Sequence, residues 1–78
     1  GILFGGIMDI FDYLRKIAHE LGGVPEERIR PESTTKELNL DMFDREEMVL
    51  DVEAKYDIFL NDPKFDTLDD LAKLVDVA

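Results

Sequence analysis

The chain has 78 residues, with 19 acidic against 9 basic side chains, a formal charge of −10, and no cysteine. A chain of that length makes one small domain with roughly 3–5 kcal/mol of net stability. The absence of cysteine excludes a disulfide framework, a thiolate metal centre and a cysteine nucleophile. The charge opposes contact with nucleic-acid phosphates and anionic membranes, and favours partners with basic surfaces.

The opening GILFGGIM lacks the basic n-region and cleavage pattern of a signal peptide, and no apolar run is long enough to span a bilayer. A cytoplasmic protein without membrane insertion is therefore expected. Met8 stands just before a helix signal, so residues 1–7 read as a leader and 8–78 as a single domain. From Asp9 to Leu21 the residues Ile10, Phe11, Leu14, Ile17, Ala18 and Leu21 fall on one helical face, and Gly22-Gly23 ends the run. His19 lies off that face. With no second His and no Cys beside it, it reads as a surface residue rather than a ligand or base.

Residues 24 to 40 contain two prolines and several turn formers, with a short helical turn expected at Pro25-Glu26-Glu27. Val24, Ile29, Leu38 and Leu40 are spaced as anchors that pin such a loop to a core. Asp41 then suits the N-cap of a long helix running to Tyr56, with Asp44, Glu46 and Glu47 supplying negative charge to its positive end. Met48, Val49, Val52 and Tyr56 predict a core-facing stripe. Phe43, Leu50 and Ala54 form a second apolar row, bordered by Glu47 and Asp51. A core needs one row, so the second is surplus to folding.

Asn61-Asp62-Pro63 interrupts the chain beyond this helix, because proline disfavours helical geometry at the preceding residue. Asp66 or Thr67 offers the cap of a last helix, in which Leu68, Leu71, Ala72 and Val75 mark the buried face.

The run Glu37-Leu38, then Asp41-Met42-Phe43, then the acidic helix to Lys55-Tyr56-Asp57 resembles the acyl carrier proteins, whose second helix opens with Asp-Ser-Leu. Aligned without gaps from Ser33 to Tyr56, Asp41 falls on the family's Asp, Phe43 on its Leu and Met42 on the Ser that carries 4′-phosphopantetheine. The resemblance extends over about Asp9 to Val75. It implies an all-α, four-helix bundle with a long loop between helices 1 and 2 and a short or irregular third helix. It also implies that the second helix meets partner enzymes.

The departure falls on the chemistry. Loading the arm requires an oxygen nucleophile that loses a proton, and the Met42 thioether has none to lose. No phosphopantetheine is expected at Met42, and no other cofactor or metal is called for. Glu46 stands where the family places an aliphatic residue near its acyl cleft. An unpaired buried carboxylate costs several kcal/mol, about the worth of the whole domain, so Glu46 should face water.

The leading expectation is therefore a monomeric, non-enzymatic carrier-like module that docks to a basic partner, such as an enzyme of fatty acid or polyketide synthesis. Its docking residues are Asp41, Met42, Phe43, Asp44, Glu47, Leu50, Asp51 and Ala54. The competing expectation is that Met42, Phe43, Leu50 and Ala54 merely close the core and that the acidic residues around them are a solvated face, as charge runs on helices usually are. Two other readings remain. One is a true acyl or peptidyl carrier loaded elsewhere, at Ser33, Thr34 or Thr35. The other is cation binding by Asp41, Asp44 and Glu47, or by Asp62, Asp66, Asp69 and Asp70, although neither run has EF-hand spacing.

Overall fold

A computed structural model describes residues 6–78. It contains α1 (Gly6–Gly22), a 3-10 turn (Glu26–Arg28), α2 (Met42–Tyr56) and α3 (Leu68–Val77). Among the described residues the only β feature is an isolated bridge between Thr34 and Thr67. The domain is all-helical. Residues 1–5 of the expected leader lie outside the described residues, and the first turn of α1 already includes Gly6 and Ile7.

Each helix begins or ends where local chemistry dictates. At the start of α2 the Asp41 carboxylate accepts the Asp44 N–H at 2.8 Å, and the Asp44 carboxylate accepts the Asp41 N–H at 3.1 Å. This reciprocal box satisfies two backbone donors that the first helical turn leaves free. Thr67 and Asp70 repeat the arrangement at the start of α3, with bonds of 3.0 and 3.1 Å. Asp57 ends α2 in the left-handed region, at φ 53° and ψ 53°.

α1 is central and packs on α3, α2 and the 3-10 turn, most extensively on α3. Its residues Ile10, Phe11, Leu14, Ile17 and Ala18 are buried together with Leu68, Leu71, Ala72 and Val75 of α3 and Met48 and Val52 of α2. Tyr13 of α1 meets Tyr56 of α2 edge to face, with centroids 6.0 Å apart. The loop contributes Ile29, Leu38 and Leu40 to the same core, and Val24 packs against it half-buried. α2 thus gives the core only two fully buried residues, fewer than its expected stripe. Val49 leaves that stripe to line a surface groove.

Two expectations are corrected. A short helix between α2 and α3 does not form, so the described residues hold three α-helices. Asp57 and Asp62 both take positive φ, and Pro63 follows Asp62, which breaks any helical run there. His19 is half-buried rather than a plain surface residue. Its Nδ1 lies 2.8 Å from the carbonyl of Val24, while its own carbonyl accepts the Gly23 N–H at 2.9 Å. The imidazole thereby fastens the loop to the end of α1.

Candidate functional site

Opposite its buried face, α2 presents the second apolar row to solvent. Met42 is 57% exposed, Phe43 71% and Leu50 61%, and Ala54 is also exposed. A residue closing a core would not leave more than half its surface in water, so Met42, Phe43 and Leu50 do not close the core. Large apolar side chains grouped on one helix face mark interaction surfaces more often than isolated ones do.

The acidic frame divides into two kinds of residue. Asp41 and Asp44 are committed to the capping box, so part of their charge serves the helix start. Glu47 and Asp51 make no ion pair among the described residues, and Glu47 is exposed with Asp51 half-exposed. Glu46 is exposed, as an unpaired carboxylate requires.

Beside this row lies an open groove of about 750 Å³. One wall is α2, through Met42, Arg45, Glu46, Val49 and Leu50. The other is the segment Asp62-Pro63-Lys64-Phe65. Met42 and Leu50 belong to both the groove and the exposed row, so the two features form one continuous surface. Sequence spacing identifies the row but not the groove, whose second wall is irregular chain without periodicity.

Of the three hydroxyls considered as other attachment points, two are engaged in loop hydrogen bonds and the third is buried. The Ser33 Oγ accepts the Arg30 N–H at 2.9 Å. The Thr34 hydroxyl donates to the Glu37 carboxylate at 2.9 Å and accepts the Glu37 N–H at 3.1 Å, and Thr35 is buried. The carboxylate runs do not converge either. No cluster of three or more potential ligands suited to a metal ion occurs among the described residues, and Asp69 is instead paired with Lys73 at 2.9 Å.

The titratable groups with displaced pKa values are structural. The Thr34 backbone N–H, then its hydroxyl, hold Glu37 below the usual carboxylate range. The backbone N–H groups of Thr67 and Asp66 do the same for Asp70. Burial, then the charge of Asp51, raises Tyr13. None of the described helices is long and apolar enough to cross a membrane. No known protein-family model matches the chain.

Proposed function

We propose that this is an acyl-carrier-like module without a prosthetic arm, acting by docking to a basic-surfaced protein through the outer face of α2. The observation that carries this reading is the exposure of Met42, Phe43, Leu50 and Ala54 beside the unpaired Glu47 and Asp51. An apolar centre bordered on α2 by unpaired acidic side chains matches the anatomy of a docking patch, in which the apolar groups give affinity and the charges steer approach and exclude wrong partners. The partner class follows from the resemblance in α2: an enzyme of fatty acid or polyketide synthesis, met in the cytoplasm by a monomer. The module itself performs no catalysis. The Ser33 hydroxyl already holds the Arg30 N–H, loading at Thr34 would break the bond its hydroxyl donates to Glu37, and Thr35 is buried, which disfavours a carrier loaded elsewhere.

The test uses a promiscuous phosphopantetheinyl transferase as a defined docking partner. Incubated with coenzyme A and the transferase, the unaltered chain should keep its intact mass, while Met42→Ser should gain the arm. In the Met42→Ser background, Glu47→Lys with Asp51→Lys should then lower the loading rate at least about tenfold, the effect of losing two steering charges. Asp44 is unsuited to this test because its reversal would also destroy the helix cap. If Met42→Ser is not loaded, the carrier-like reading fails. If the charge reversal leaves loading unchanged, the docking face lies elsewhere.

A further inference from the structure

We propose that residues 57–66 form a hinged strap that sets the width of the groove beside α2, with the Glu53 carboxylate as its latch. The strap is fixed firmly at both ends. At the first end, the Glu53 carbonyl accepts the N–H groups of Asp57 and of Ile58, the latter at 3.1 Å. At the other, the Asp66 carbonyl accepts the Thr35 N–H at 2.8 Å and the Asp66 N–H donates to the Asp70 carboxylate at 3.1 Å. Between these anchors the chain is scarcely tied.

From Phe59 to Phe65 one backbone hydrogen bond is present among the described residues: the Leu60 N–H donates to the Glu53 carboxylate at 2.8 Å. The side chains add little constraint. Ile58, Leu60 and Phe65 are only half-buried, and Phe59 is 78% exposed. The Lys64–Asp62 pair is 3.9 Å long and nearly wholly in water, a geometry that contributes almost nothing. A segment with few backbone bonds and half-buried anchors opens at far lower free energy than the helices it joins.

The hinges lie in the backbone. Asp57 and Asp62 have φ of 53° and 49°, the left-handed region that Asp enters more readily than most residues with a Cβ. Each is a point where the chain turns sharply and about which the strap can rotate once it is released. Release of Leu60 from Glu53, with rotation at these two positions, carries Pro63, Lys64 and Phe65 away from Val49 while the α2 wall stays in place. A charged acceptor makes the latch stronger than a neutral one, and it is a single bond, so the strap has one point of control.

This inference rests on the groove and needs no docking partner, so its test is independent of the transferase experiment. Amide hydrogen exchange and methyl chemical shifts would be followed by NMR in the full chain, in the unaltered protein and in Glu53→Ala and Glu53→Gln. In Glu53→Ala the Leu60 amide should exchange at least about tenfold faster, and the Val49 methyl resonances should shift. The amides of Met48, Val52 and Leu71 should change less than about twofold, as expected of a local opening. Glu53→Gln keeps an oxygen acceptor and should restore most of the Leu60 protection. The proposal is overturned if Leu60 exchange is unchanged in Glu53→Ala, if it rises only in step with the core amides, or if the Val49 methyls do not respond.

Discussion

The two irregular connections of this domain differ in kind. The segment between α1 and α2 is the longer, yet it behaves as part of the scaffold. It buries Ile29, Thr35, Leu38 and Leu40 and is tied across to the start of α3. There the Thr35 N–H donates to Asp66 at 2.8 Å, the Leu68 N–H to Ser33 at 3.2 Å and the Asp69 N–H to Pro31 at 2.8 Å. The segment between α2 and α3 has a single hydrogen bond in its middle and no buried residue. Irregular chain is not by that fact loose. What separates the two is where their backbone groups find partners and how many side chains they lose to the core.

Truncation of one leucine in each segment tests that contrast most sharply. Leu38 is 2% exposed, and Leu38→Ala should lower stability by about 3 kcal/mol through lost burial and the cavity left behind. Leu60 is half-buried, and Leu60→Ala should cost about 1 kcal/mol. Urea unfolding of both variants at equal m-value reads the difference directly. Equal losses would mean that the strap is as much a part of the core as the loop.

Next in size is a pair of glycine substitutions at the entry to the loop. A methyl on Gly22 would run into the Leu38 carbonyl oxygen, a backbone atom held by the loop's own bonds. Gly22→Ala should therefore cost about 2–3 kcal/mol, because neither partner can yield cheaply. Gly23 has open space around it, but its φ is +81°. Gly23→Ala should cost about 1 kcal/mol from backbone strain alone. Thermal melts that reverse this order would show that the loop gives way more readily than its bonding suggests.

The glycine pair also shows where sequence reasoning stops. Two adjacent glycines after an apolar stripe announce a helix end, and α1 does end there. That the first is required for close approach and only the second for its φ depends on Leu38, far along the chain. The Asp41 cap, the buried face of α3 and the five buried residues of α1 are local patterns, and each is legible from spacing alone, whereas spacing narrows the cap of α3 only to Asp66 or Thr67. Val49 is not, because its spacing fits a core stripe and only the position of the strap turns it towards the groove. The exposed row of Phe43, Leu50 and Ala54 is legible as surplus to the core. Its continuity with the groove is not, since Pro63 and Phe65 carry no periodic signal. The half-burial of His19 likewise depends on where the Val24 carbonyl arrives.

The smallest expected effect concerns pH, and it again separates tied from untied chain. Glu37 closes a turn within the loop and Asp70 caps α3 where the loop crosses it, and both lie below their ordinary values of 4.5 and 3.8. A depressed folded-state value means the native state prefers the carboxylate. The stabilisation is complete above the ordinary values and disappears as pH falls through the lowered ones. Protonating many carboxyls also relieves the repulsion of a chain with charge −10, so the raw Tm of the protein mixes two opposing trends. The difference between parent and variant isolates the wanted one. Glu37→Gln and Asp70→Asn should each lower Tm at pH 7, and the gap from the parent should narrow as pH falls below about 4.5 for Glu37 and about 3.8 for Asp70. A gap that stays constant with pH would mean that these bonds hold as neutral contacts, and that charge plays no part in closing the loop turn at Thr34 or in capping α3.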